Sequence, residues 1–191
     1  MMFRHHRLTT ILQLAAVAVC ISTAALTAAE VDEGGSATRT TMHHLHFYMH
    51  ETYAETVMQV ANGTGAPLIS RGGVRARFGD TAVMDDALTE GPSPGSRQVG
   101  RAQGMYATAS RQPGAPAMLL TMNMVLTGFE GYQNGSMVAV VGWNDVTASV
   151  RELAVVGGTG SFRMATGYAL LKTISWKGVT AVLELDVFVR A

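Results

Sequence analysis

Cysteine is almost absent: the 191 residues contain one, Cys20, and it falls in an N-terminal stretch with the layout of a removable leader. Once that stretch is cut away the protein has no thiol and forms no disulfide. Its stability must come from core packing and hydrogen bonding. Charge is scarce as well. Asp, Glu, Lys and Arg make up 15% of the chain, acids and bases are equal at 14 each, and no basic block stands out. That excludes the electrostatic footprint of a nucleic-acid binder, and 48% hydrophobic residues exclude a disordered chain. Aromatic residues are only 7%, against 21 glycines, which points to short elements joined by tight turns. No stretch carries a long helical stripe, and no Gly-x-Ser-x-Gly elbow is present, which removes a serine-hydrolase reading.

The leader is written in three parts. Arg4 and Arg7 precede an apolar run from Leu8 to Leu26, and the small residues Thr27, Ala28 and Ala29 stand before Glu30. This predicts a secretory signal peptide over residues 1–29. Thr9, Thr10, Gln13, Ser22 and Thr23 dilute the run relative to a membrane anchor. Residues 30–41 are polar and small and are expected to form an N-terminal arm, leaving one domain over residues 42–191. Two sequons agree with export, Asn62-Gly63-Thr64 and Asn134-Gly135-Ser136, and each makes its asparagine a candidate glycan acceptor. Asn134-Gly135 also reads as a hairpin turn.

Period two dominates the domain. Leu45, Phe47 and Met49 alternate with His44, His46, Tyr48 and His50, and Met118, Leu120, Met122, Met124 and Leu126 with Leu119, Thr121, Asn123 and Val125. In the last segment Val179, Ala181, Leu183, Leu185, Val187 and Val189 face one way, Thr180, Glu184, Asp186 and Arg190 the other. Such alternation means strands with one buried and one wetter face. Further strands are expected over residues 68–78, 81–85, 99–110, 137–143, 152–156 and 168–176, separated by glycine, proline and asparagine turns. About eight strands at short spacing predict an all-β antiparallel barrel, closed so that no edge is left to defend.

Two motifs compete for attention. Val155-Val156-Gly157-Gly158-Thr159-Gly160 resembles the opening of a dinucleotide-binding turn, but Arg163 occupies the place of the third glycine and strand sequence follows. A glycine-rich strand connection is the expected meaning. His44, His46 and His50 share a strand face, so metal ligation is geometrically open, yet no cysteine or identified carboxylate joins them. They are read as surface or interface histidines, and no metal is assigned.

A set of longer motifs, taken in order, identifies a family. Leu45-His46-Phe47-Tyr48-Met49-His50-Glu51 comes first, followed by Phe78-Gly79-Asp80 and Asp85-Asp86-Ala87-Leu88-Thr89. Val99-Gly100-Arg101-Ala102-Gln103-Gly104-Met105-Tyr106 comes next, then the run from Arg151 to Phe162. From about Leu45 to the C-terminus the chain resembles plant dirigent proteins. The resemblance implies an eight-stranded antiparallel β-barrel similar to that of allene oxide cyclases, secreted to the extracellular space of the plant cell wall, the apoplast. It also implies a dimer or trimer of identical chains, with no cofactor. The implied role is that of a non-oxidising auxiliary without an enzymatic step of its own. A separate laccase or peroxidase makes phenoxy radicals from a monolignol such as coniferyl alcohol, and the barrel orients them so that coupling gives an optically active lignan. Alternatives are an isomerase or cyclase of the allene oxide cyclase type, and a defence or cell-wall binding protein with no turnover.

The resemblance also nominates residues. Glu51 stands where the family carries aspartate, and strand parity places it on the buried face, where its pKa would rise and it could act as an acid. Arg151 matches the family arginine, suited to a charge-assisted bond to a phenol or carbonyl oxygen. Seven residues earlier, Asn144 replaces a second expected acid, and asparagine supplies no acidic proton. Tyr106 matches a pocket tyrosine. Arg101 and the pair Asp85 and Asp86 match family motifs too; a structural network between strands is their expected role, and substrate contact by Arg101 and Asp86, beside Tyr106 and Asn144, is the other reading. Met42 stands where many relatives carry a cysteine, which implies a branch without that staple.

Overall fold

Each alternating segment pairs with its neighbour in the computed structural model, which describes residues 41–112 and 116–191. The predicted signal peptide and all of the predicted arm except Thr41 lie outside the described residues. The elements are β1 (Met42–Thr52), β2 (Val57–Ala61), β3 (Thr64–Arg71), β4 (Val74–Phe78), β5 (Thr81–Thr89), β6 (Gln98–Thr108) and β7 (Ala117–Leu126). β8 (Met137–Asp145), β9 (Arg151–Thr159), β10 (Thr166–Lys177) and β11 (Thr180–Arg190) complete the chain. Eight of them run in the order β1-β11-β10-β9-β8-β7-β6-β5, all antiparallel. The circle closes where β1 meets β5 at Tyr48↔Thr89, Met49↔Leu88 and His50↔Ala87. This is the closed eight-stranded barrel that the alternation predicted.

Alternation also decides what the barrel holds. On β1, Leu45, Phe47 and Met49 are buried, and on β11 so are Ala181, Leu183, Leu185, Val187 and Val189, while their neighbours stay wetter. Val179 falls outside this series: it lies in the turn before β11 and is exposed. One end of the interior is plugged by loop aromatics. Phe129 meets Phe47 edge-on at 6.1 Å between ring centroids, and Tyr132 stacks on Phe162 at 5.1 Å. Phe162 is fully buried in a one-turn 3-10 helix (Gly160–Phe162) that continues β9. The glycine run Gly157–Gly160 is therefore a strand connection, as expected. Gly160 has φ +62°, and a Cβ there would come within 2.5 Å of the Ser136 hydroxyl.

Three features departed from the sequence reading. Residues 68–78, expected as one strand, belong to a hairpin, β3 and β4, that turns at Gly72-Gly73, both with positive φ. A two-residue turn of that kind matches the twist of the strands it joins. Val57–Ala61 was not expected as a strand, yet β2 takes over pairing with β5 beyond the point where β1 leaves it. The third is a bulge in β10, where the register against β11 slips between Thr173 and Ser175. The slip lets Thr173 and Trp176, three residues apart, both line the barrel interior.

Candidate active site

Opposite the aromatic plug, the interior opens into a cavity of about 700 Å3, counting the space at its mouth. Its walls are mainly apolar. Met49, Met84, Met118, Leu120 and Leu183 come from the barrel, and Ile69, Val74 and Ala76 come from the β3–β4 hairpin, which lies over the opening. Methionine walls adapt to a ligand's outline at little cost. The hairpin is tied down at its tip: a Cβ on Gly72 would meet the Gly178 carbonyl, and the Arg71 guanidinium lies 4.9 Å from the Trp176 ring centroid. Trp176 itself donates from Nε1 to the Gly178 carbonyl at 3.0 Å.

Into this apolar space project Glu51, Tyr106, Asn144, Arg151 and Thr173. Glu51 follows Met49 on the inward face of β1, and the surface it keeps is cavity wall. Burial pushes its carboxyl up to about 6, with the positive charge of Arg151 pulling the other way. Arg151, at the start of β9, is nearly inaccessible. Burial lowers its pKa, and the charges of Glu51 and Asp145 raise it. One guanidinium nitrogen donates to the Thr173 hydroxyl at 2.8 Å. Its Nε and the side-chain oxygen of Asn144 are buried without a hydrogen-bond partner among the described residues. Buried polar atoms normally find partners, so these two are poised for a ligand's. Burial, then the Glu51 charge, pushes the Tyr106 hydroxyl far up, so it stays a neutral donor. The set offers one weak acid, one fixed cation, and hydroxyl and amide groups that can hold a polar ring substituent.

The structure therefore brings four of the six nominated residues together: Glu51, Arg151, Tyr106 and Asn144. Asp86 also points inward, but it is fully buried and outside the cavity lining. It accepts a short hydrogen bond from Thr56 at the fork where β1 leaves β5. Burial pushes its carboxyl up to about 7, Thr56 opposing and the Glu51 charge adding to the rise. The substrate-contact reading of Arg101 is corrected: the residue takes the structural role between strands. It faces outward from β6, donating to the Asp85 carboxylate at 2.5 Å and the Asp85 carbonyl at 2.7 Å, because its neighbour Ala102 takes the inward position. Alternation along Ala102, Arg101 and Gln103 carried that signal. Sequence reasoning missed Thr173, which continues the inward parity of Ala169 and Leu171, Trp176, hidden by the bulge, and the hairpin residues Ile69 and Val74. Both sequon asparagines are exposed.

Comparisons with known proteins agree with this architecture. The family model described as "Dirigent-like protein" matches residues 42–190. A curated relative, "Dirigent protein 1" of Arabidopsis thaliana, is 43% identical over 149 residues, covering 76% of this chain and 77% of its own. "Pterocarpan synthase 1" of Glycyrrhiza echinata is 38% identical over 152 residues, covering 76% of each chain. A solved pterocarpan synthase dirigent protein superposes with a TM-score of 0.69 at 36% identity, covering 79% of this chain and 90% of that one. These matches overturn one expectation. Relatives at this level of similarity include proteins named as synthases, so the reading of an auxiliary without an enzymatic step of its own is withdrawn.

Proposed function

The chain belongs to the dirigent-like protein family, and from that premise we propose that it catalyses stereoselective ring closure of an electrophilic phenolic substrate of the phenylpropanoid class. One observation carries this reading: a carboxyl held at about 6 and a buried arginine share one methionine-walled cavity. A quinone methide suits that chemistry. Protonated Glu51 gives its proton to the quinone oxygen, a hydroxyl of the same molecule adds to the methide carbon, and the proton released returns to Glu51. A C–O bond forms, the ring regains aromaticity, and electrons balance without a cofactor. Arg151 and Asn144 hold the oxygen substituents so that one face of the methide carbon is presented. About 1.4 kcal/mol between competing geometries supports each tenfold of selectivity. The relatives named pterocarpan synthases support a bond-forming role.

A second reading draws on the relatives named only as dirigent proteins, at 40–43% identity. In it the same cavity orients monolignol radicals, supplied by a separate laccase or peroxidase, toward an optically active lignan. One experiment separates the two. The protein is given a phenolic quinone methide bearing a free hydroxyl, with no oxidant, and separately coniferyl alcohol with limiting laccase; products are resolved by chiral chromatography. Ring closure predicts enantiomeric excess in the first arm, with Glu51→Gln slowing the step by about 100-fold or more. Racemic product at the uncatalysed rate there overturns it, and excess confined to the laccase arm transfers the assignment to radical coupling.

The same reading includes secretion to the apoplast after cleavage near Ala29, and assembly of identical chains. Val83 and Met105 pair across β5 and β6, Leu119 and Trp143 across β7 and β8, and all four are exposed on the outer face. That band is apolar enough to support a self-association surface. Between the sequons, Asn62 is the better acceptor. Thr64 is exposed, whereas the Ser136 hydroxyl is buried and engaged by Ser161. Intact mass and light scattering of secreted protein test all three statements.

A further inference from the structure

The outer face of the β1–β11 ladder, away from the cavity, gathers two imidazoles on one carboxylate. His44 and His46 stand two apart on β1 and so project to the same side, and Asp186 lies directly across from His46 in the register with β11. His44 Nε2 is 2.8 Å and His46 Nδ1 2.9 Å from the same oxygen, Asp186 Oδ1. The nitrogen, nitrogen and oxygen atoms all lie within 4.8 Å of one another. The His44 ring is held in plane by Phe188, parallel at 4.5 Å. On the far side of His46, Nε2 faces Glu184 Oε1 at 3.9 Å, and Lys172 approaches the other Glu184 oxygen at 3.6 Å.

We propose that His44, His46 and Asp186 form a surface site for a divalent late-transition-metal ion, zinc or copper(II), independent of the cavity chemistry. Two neutral imidazoles with one carboxylate suit those ions and not magnesium or calcium, which take oxygen ligands. Metal–ligand bonds of about 2.0–2.2 Å need donors roughly 3–3.6 Å apart, so each nitrogen moves only slightly away from Oδ1 as the bridging protons leave. Glu184 is placed to receive the remaining N–H of His46, the outer contact that fixes an imidazole ligand's tautomer. His44 and Asp186 are open enough to water to leave the remaining coordination positions to solvent. A bound ion joins β1 to β11 across their ladder, on the strand that carries Glu51.

Isothermal titration of the full chain with zinc chloride, and electron paramagnetic resonance with copper(II), test this. The expected result is one saturable site, weakened by about tenfold or more in each of His44→Gln, His46→Gln and Asp186→Asn, and unchanged in a His50→Gln control, which lies on the same strand outside the ligand set. The copper spectrum should carry nitrogen hyperfine splitting that diminishes in each histidine variant. Circular dichroism identifies any variant that misfolds, and the most conservative change, Asp186→Asn, then decides. Absence of saturable binding to the wild type, or binding of equal strength in the folded His44, His46 and Asp186 variants, overturns the proposal.

Discussion

At one end of the barrel interior stand Leu45, Phe47, Val187 and Val189, sealed by Phe129, Tyr132 and Phe162. At the other stand Glu51, on the continuing inward face of β1, and Asn144, Arg151 and Thr173 from β8, β9 and β10. β1 passes from one regime to the other within four residues, Phe47 and Met49 giving way to Glu51. The dry end gains from every buried methyl and ring. The polar end runs against stability: the Glu51 and Asp86 carboxyls are raised by burial, and Asp86 Oδ2, Asn144 Oδ1 and Arg151 Nε are buried without hydrogen-bond partners among the described residues. The contrast gives the work of folding to one end and, under the proposed function, the work of chemistry to the other. A site that is costly when empty is what catalysis by a fixed polar environment demands.

That division can be broken by substitution. Phe162→Ala should have the largest effect, lowering stability by about 3–5 kcal/mol in urea unfolding, while folded molecules keep their product selectivity. A change in selectivity without loss of stability would reverse the assignment. Asp86→Asn should act in the opposite sense. Burial raises the folded pKa of Asp86 and Glu51, so stability is full below the ordinary carboxyl range. It is lost as pH rises through about 6 for Glu51 and about 7 for Asp86. At pH 8 the Asp86→Asn variant should be more stable than wild type by on the order of 2–4 kcal/mol, with no gain at pH 4. Equal effects at the two pH values would refute the cause. Arg71→Ala, which frees the hairpin tip from Trp176, should cost only about 0.5–1 kcal/mol in stability. It should also raise hydrogen exchange in β3 and β4 selectively.

Much of the dry end was legible in the sequence, because strict alternation in β1, β7 and β11 exposes its period wherever one face is fully buried. Glu51 was legible by the same parity. Trp176 was not: the bulge after Thr173 adds one residue and inverts the alternation beyond it. The hairpin over the cavity was hidden because β3 and β4 are short and half exposed, leaving Gly72-Gly73 as the sole sign of a reversal. Asp186 was visible as an outward residue of the last strand. Its meeting with His44 and His46 depends on the register that joins the two ends of the domain.

The central claim is that Glu51 is an acid made by its surroundings. Carbon-13 NMR of the Glu51 carboxyl across pH tests it most directly. The account predicts a midpoint of about 6 in the wild type, moving up by about one unit in Arg151→Met as the opposing cation is removed. A wild-type midpoint near the ordinary 4.5, or one indifferent to Arg151, would contradict it.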